Sequence, residues 1–223
     1  MPKSQFAQNL DAIQATVQSF LKPLDFRKKA RVHNRRTESG LVQVISFQMG
    51  QFPIGDNYVI PGFRENLYGK FAINLGVLLP CVYQVERQKP VPDFIQEYDC
   101  TIRQRLGTLA FGKDEWFEIT DDIATLATNI VRLLDKYGLE FLEQFKSYEN
   151  VLRYFQANGK LPFQSSNRAS LEAALIAHHI GNETLSKTLF AKARDTDNKG
   201  FQNHVTEIEK RVDLMLSSPA TKN

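Results

Sequence analysis

The sequence predicts an α+β fold, in which an N-terminal helix packs on a four- to five-stranded, mainly antiparallel sheet and an all-helical C-terminal region follows. Three observations lead to this prediction. Apolar residues recur at spacings of three and four in the first 21 residues, apolar and polar residues alternate in segments between residues 29 and 119, and helical spacing returns after residue 120. Strands first and helices later are typical of an α+β fold rather than of a doubly wound sheet.

The N-terminal helix is predicted from one apolar stripe. Ser4 is a suitable residue to cap its start, and Pro23 cannot continue it, so the helix should end there. The residues of the stripe are Phe6, Leu10, Ile13, Val17, Phe20 and Leu21. Because only one side of the helix is apolar, we expect it to cover one face of the sheet.

The predicted strands are short segments of alternating apolar and polar residues. The clearest is 71–79, where every second residue is apolar. The other predicted strands are 29–36, 41–49, 100–106 and 116–119. Residues 50–68 contain three glycines and two prolines, which is typical of a long loop, and such loops often carry function.

The second half of the chain is predicted to be helical. Thr120, Asp121 and Asp122 can cap a helix whose apolar stripe begins at Ile123, and Gly138 is expected to break it. Further helices are predicted at 139–146, 148–157, 168–180, 183–194 and 201–216. We therefore divide the chain into an α+β domain (1–146), a helical extension packed on it (147–218) and a disordered tail (219–223).

Composition excludes several functional classes. The chain of 223 residues is 42% hydrophobic and 24% charged, which is ordinary for a globular protein, and its net charge of +3 does not by itself indicate a nucleic-acid-binding protein. No apolar run reaches the length of a membrane span, and Cys81 and Cys100 are best interpreted as free thiols, so a cytoplasmic location is expected. Without a recognisable metal, phosphate-loop or nucleophile motif, we predict no metal, no cofactor and no catalytic residue.

One face of the predicted sheet is unusually polar. Successive strand residues point to opposite faces, so the face opposite Ile45 and Phe47 receives Gln48 and Asn74. The candidate ligand-binding residues on this face are Gln48, Asn74, Arg103 and Arg105, with Arg31, His33 and Arg35 towards one edge. Guanidinium groups suit carboxylate or phosphate ligands because they donate two parallel hydrogen bonds. The alternative is an ordinary solvent-exposed sheet face.

A set of short motifs adds a family resemblance. The motifs are residues 22–29, 42–48 and 74–77, together with Cys100, Arg103, Arg105, Leu106, Gly107 and Trp116. In these residues the chain resembles the bacterial domain-of-unknown-function 4304 family over about residues 5–145. It departs from the family pattern at Asp25, where glycine is more frequent, and at Phe117, where a second tryptophan is frequent. The resemblance singles out Gln48, Asn74, Arg103 and Arg105, but it implies no reaction or cofactor.

Three functional interpretations remain open. The first is a non-enzymatic binding module whose polar face receives an acidic protein or a small anionic ligand. The second is an enzyme for a phosphorylated or nucleic-acid substrate, in which Glu115, Glu118 or His33 supplies acid–base chemistry. The third is nucleic-acid binding, which has the least support because aromatic residues are not clearly interleaved with the basic ones.

Overall fold

A computed structural model describes residues 3–50, 52–53, 55, 58–60 and 65–217 of the chain. Helix α1 (Gln5–Leu21) begins where predicted, because the Ser4 side chain accepts a hydrogen bond from the amide of Ala7 at 3.3 Å. The helix ends in a short 3₁₀ turn (Lys22–Leu24) that contains Pro23. The predicted loop 50–68 lies partly outside the described residues, and the predicted tail 219–223 lies wholly outside them.

The sheet is antiparallel throughout, with strand order β1-β2-β3-β4-β5 and with β6 also paired to β4. The six strands found within the described residues are β1 (Arg27–Lys29), β2 (Val32–Arg36), β3 (Val42–Met49), β4 (Lys70–Leu78), β5 (Ile102–Arg105) and β6 (Phe117–Glu118). The segment predicted as one strand at 29–36 therefore belongs to two strands. A turn in which Ala30 has a positive φ of 52° separates them.

The helices confirm most of the predicted boundaries after residue 120. The helices after α1 are α2 (Pro80–Arg87), α3 (Leu106–Phe111), α4 (Ile123–Leu133), α5 (Leu139–Gln144), α6 (Tyr148–Asn158), α7 (Ser166–His179), α8 (Glu183–Arg194) and α9 (Lys199–Ser217). Helices α2 and α3 were not predicted, because both are short and α2 directly follows the strongest strand pattern. Together with the sheet, these helices confirm the α+β prediction.

The predicted break at Gly138 is wrong. A π-helical turn (Leu134–Gly138) joins α4 directly to α5, and Gly138 is buried there with helical backbone angles. A Cβ atom at this position would lie 3.1 Å from Leu134 and 3.5 Å from Leu106. Glycine therefore serves close packing here, and it does not terminate the helix.

One large apolar core joins α1, the first face of the sheet and the C-terminal helices. As predicted, it contains Ile13, Val17, Ile45, Phe47, Ile73, Leu75 and Val77, with Phe6 partly buried against it. Leu175 of α7 and Ile208 of α9 belong to the same core. The helices after residue 147 thus contribute side chains to the same apolar core, whereas the division into domains at residue 147 stays a prediction.

The second face of the sheet is only half covered. A smaller apolar cluster lies under the segment that follows α2; it consists of Val32, Val42, Val44, Leu78, Ile95 and Cys100. The buried Asn34 side chain fixes that segment, since it accepts a hydrogen bond from the amide of Ile95 at 2.6 Å and donates one to its carbonyl at 3.0 Å. The other half of this face carries the polar side chains described below. In the described part of the chain, no helix has both the length and the apolar character needed to cross a membrane.

Candidate binding cleft on the second sheet face

The uncovered half of the second sheet face forms a cleft of about 440 Å³, which we call the sheet cleft. Its floor is formed by β3, β4 and β5, and its walls come from the turn around Glu97, from Asp114 and from residues 162–164. The predicted residues Gln48, Asn74, Arg103 and Arg105 all line it. The structure therefore brings these four side chains together, although their role in binding stays a prediction.

A chain of hydrogen bonds crosses the floor of the sheet cleft. Strand pairing places Asn74 opposite Arg105, so their side chains are neighbours on the same face. Asn74 Nδ2 donates to Gln48 Oε1 at 3.1 Å, and Arg105 Nε donates to Asn74 Oδ1 at 3.2 Å. The Asn74 amide is thereby oriented on both sides, and it holds the guanidinium of Arg105 in place.

Arg105 has two further contacts at the mouth of the cleft. Its Nη1 donates to Asp114 Oδ2 at 2.5 Å, and its guanidinium carbon lies 5.3 Å from the centre of the Trp116 ring. The Arg105 side chain is 28% exposed and the Asp114 side chain is 57% exposed. The Trp116 ring thus supports the guanidinium through a cation–π contact.

Arg103 is held differently. Its Nε and Nη2 bind the two carboxylate oxygens of Glu97 at 2.5 and 3.0 Å, and only 12% of the Glu97 side chain is exposed. Hydrogen bonding to Glu97 raises the pKa of Arg103 above its usual value. Gly76 lies opposite Arg103, and a Cβ atom there would be 2.6 Å from Cys100 Sγ. Glycine at this position thus permits the close approach of the segment that carries Glu97.

The expectation that Arg31, His33 and Arg35 extend this polar face is wrong. Val32 pairs with Ser46, so His33 pairs with Ile45 and Arg35 with Gln43 on the core face of the sheet, whereas Arg31 lies in the turn before β2. The turn at Ala30 sets this register, which the sequence pattern could not reveal.

His33 and Arg35 both contact other side chains of the fold instead of lining the sheet cleft. His33 is fully buried, its ring centre lies 5.9 Å from that of Phe47, and burial lowers its pKa to about 4. Arg35 binds Glu143 at 2.7 Å, and its guanidinium lies 4.7 Å from the centre of the Phe26 ring. The His33 side chain therefore lies in the packed interior, and the Arg35 side chain lies at its border.

The sheet cleft also contains charged residues that the strand pattern did not place on this face. Glu97 and Asp114 carry two negative charges that balance the two positive charges of Arg103 and Arg105. They come from a turn and a loop outside the strands, so strand parity gave no signal for them. The cleft is thus a neutral site with two ion pairs.

The acid–base residues proposed for an enzyme do not converge on the arginines. His33 lies on the opposite sheet face, and Glu115 forms an ion pair with Lys113 at 2.8 Å. Glu118 is exposed on β6, opposite Lys70. Among the described residues, no group of three histidine, cysteine or carboxylate side chains could hold a metal ion.

Comparison with known proteins places this fold in a family. The family model described as domain of unknown function 4304 matches residues 17–144. The chain belongs to this family. The match runs from α1 to the end of α5, so it includes Gln48, Asn74, Arg103 and Arg105 but not residues 162–164, which close the sheet cleft. No curated protein and no solved structure matches the chain.

Proposed function

We propose that this member of the domain-of-unknown-function 4304 family is a non-enzymatic binding module. Its sheet cleft receives an anionic group, carried by an acidic protein or by a small molecule. The observation that supports this proposal is the guanidinium of Arg105, which Asn74 orients from the floor and Trp116 supports from one side. A guanidinium held in this way loses little freedom when it binds a carboxylate or phosphate.

Arg105 is the more available of the two cleft arginines. Its partner Asp114 is 57% exposed, and an exposed ion pair contributes at most about 1 kcal/mol, so a ligand carboxylate can replace Asp114 at small cost. Glu97 is only 12% exposed and binds Arg103 through both oxygens. Displacing Glu97 would leave a shielded carboxylate without its partner. Arg103 therefore shapes the cleft, and Arg105 binds the ligand.

Co-purification from the native host tests this proposal. We expect Arg105→Gln to lose the bound partner that the wild-type protein retains, because a charge-assisted hydrogen bond is removed. Arg132→Gln is a matched control, since Arg132 is an exposed arginine on α4, away from the cleft. Protein, nucleic-acid and small-molecule fractions are each analysed, so that the class of ligand follows from the same experiment. Identical fractions from wild type and Arg105→Gln would contradict the proposal.

An enzyme acting on a phosphorylated or nucleic-acid substrate is the second candidate. The observation in its favour is that two carboxylates, Glu97 and Asp114, lie beside the arginines in one cleft. Against it, each carboxylate already accepts hydrogen bonds from an arginine, so both are engaged within the cleft. If Glu97→Gln abolished turnover of a captured ligand while binding persisted, the enzyme would be the better description.

A further inference from the structure

A second cavity, of about 260 Å³, lies beside the sheet cleft, with Thr101, Arg103, Phe163 and Gln164 lining both. Its remaining walls come from α2, from the turn before β5 and from the first turns of α7. We call it the α2–α7 cavity. At its inner end lies Glu172, whose side chain is only 2% exposed.

Three buried side-chain oxygen atoms in this cavity have no hydrogen-bond partner among the described residues, and one of them, Glu86 Oε1, still forms an ion pair with Arg168 Nη2 at 2.6 Å. Glu172 Oε1 accepts from Arg168 Nε at 2.8 Å, but Glu172 Oε2 has no hydrogen-bond partner among the described residues. Gln164 Oε1 is also buried without a described partner. The Gln164 amide cannot simply be reversed, since its Nε2 donates at 2.7 Å to the Thr101 carbonyl, which can only accept. All three free atoms are acceptors, so the missing group is a donor.

The local charge indicates that the donor is positive. Arg168 lies between two carboxylates, because its Nη2 is 2.6 Å from Glu86 while its Nε binds Glu172. Two negative charges and one positive charge leave this triad with one negative charge. The other charged residues lining the cavity are Arg87, Asp99 and Arg103, and Arg103 is already bound to Glu97. An uncompensated buried charge is costly, so a cation or a proton is needed.

We infer that the α2–α7 cavity is a subsite for a small molecule with a primary ammonium group. The N–H groups would donate to Glu172 Oε2 and Gln164 Oε1, and the positive charge would neutralise the triad. A hydrated divalent metal fits less well, because magnesium and calcium require about six or more oxygen ligands, whereas the site offers three free protein oxygens, one of which is paired with Arg168. Burial raises the pKa of Glu172 to about 7, so the carboxylate is charged in mildly basic solution.

Methylammonium chloride is the probe, and tetramethylammonium chloride, which has the same charge but no N–H donor, is the control. At pH 8, a concentration of methylammonium about ten times its Kd should raise the thermal midpoint by about 3 °C over the control salt. Glu172→Gln should abolish the difference, because its neutral amide can accept from Arg168 and donate to Gln164 by itself. Glu140→Gln, an exposed change on α5, should preserve it.

Equal responses of the wild type to both salts at pH 8 would overturn the inference and would indicate that the cavity holds only water or a proton. A methylammonium response that persists in Glu172→Gln would also overturn it. If Glu172→Gln does not fold, wild type at pH 5 replaces it, and the difference between salts should vanish there because Glu172 is protonated. A difference that remains at pH 5 would contradict the assignment. The subsite does not depend on Arg105, so Arg105→Gln should respond to methylammonium like wild type.

Discussion

Replacement of the buried His33 by leucine should change how the stability of the protein depends on pH. His33 is fully buried, and burial is the main cause that lowers its pKa from 6.5 to about 4. Because the folded-state pKa is below the unfolded-state value, the unfolded chain binds the proton more readily between pH 4 and 6.5. The contribution of His33 to stability is therefore complete above pH 6.5 and falls as the pH decreases towards 4.

The expected size follows from these two pKa values. Between pH 8 and pH 5, linkage predicts a loss of about 2 kcal/mol of unfolding free energy from His33. Glu172 acts in the opposite direction, because its pKa is raised from 4.5 to about 7. Its contribution is present at low pH and is lost as the pH rises through 7. The two effects nearly cancel in the wild-type protein, so only a comparison of variants can separate them.

Urea unfolding at pH 8 and pH 5 measures this difference. From pH 8 to pH 5, His33→Leu should gain about 2 kcal/mol relative to the wild type, because leucine leaves the Glu172 effect unopposed. His204→Gln, a change of a half-exposed histidine on α9, should follow the wild type. If His33→Leu and the wild type changed in parallel between the two pH values, the placement of His33 in the protein interior would be refuted.

Three further predictions concern the fold. Ile73→Asp should unfold the protein, because Ile73 is 1% exposed and an unpaired charge would enter the core; a folded variant with an unchanged thermal midpoint would contradict the assignment of faces. Gly76→Ala should lower the free energy of unfolding, measured in urea, by about 1–3 kcal/mol, because its Cβ would lie 2.6 Å from Cys100 Sγ. Gly112→Ala is the control, because its Cβ would meet no atom within 4 Å and only the positive φ of that position opposes the change. Limited proteolysis should not release residues 147–217 as an independently stable fragment, because Leu175 and Ile208 are buried in the same core as Ile73.

Local patterns in the sequence were sufficient for the helices, the strands and part of the cleft. Strand parity placed Gln48 and Asn74 on the face opposite Ile45, and the register confirms this placement. It also placed Arg103 and Arg105 beside them, because β5 pairs with β4 without a bulge. In each case the determining information lies within a few residues, where side-chain alternation is reliable.

Features that depend on distant parts of the chain could not be predicted in this way. The positive φ of Ala30 separates β1 from β2 and turns His33 towards the core, although the surrounding residues alternate as in a single strand. Glu97 and Asp114 reach the arginines from a turn and a loop, so their positions depend on tertiary packing. The same applies to the α2–α7 cavity, in which Glu86 of α2 meets Arg168 of α7.

We propose that Arg105 binds an anionic group at the position that Asp114 now occupies. Isothermal titration with poly-glutamate, compared with uncharged poly-glutamine as a control, tests it most directly. Arg105→Gln should weaken poly-glutamate binding about 10- to 100-fold, since a hydrogen bond to a charged group contributes about 1.5–3 kcal/mol. Asp114→Asn should strengthen binding, because it removes the carboxylate that competes for Arg105. Equal affinities of wild type, Arg105→Gln and Asp114→Asn for poly-glutamate would contradict the claim.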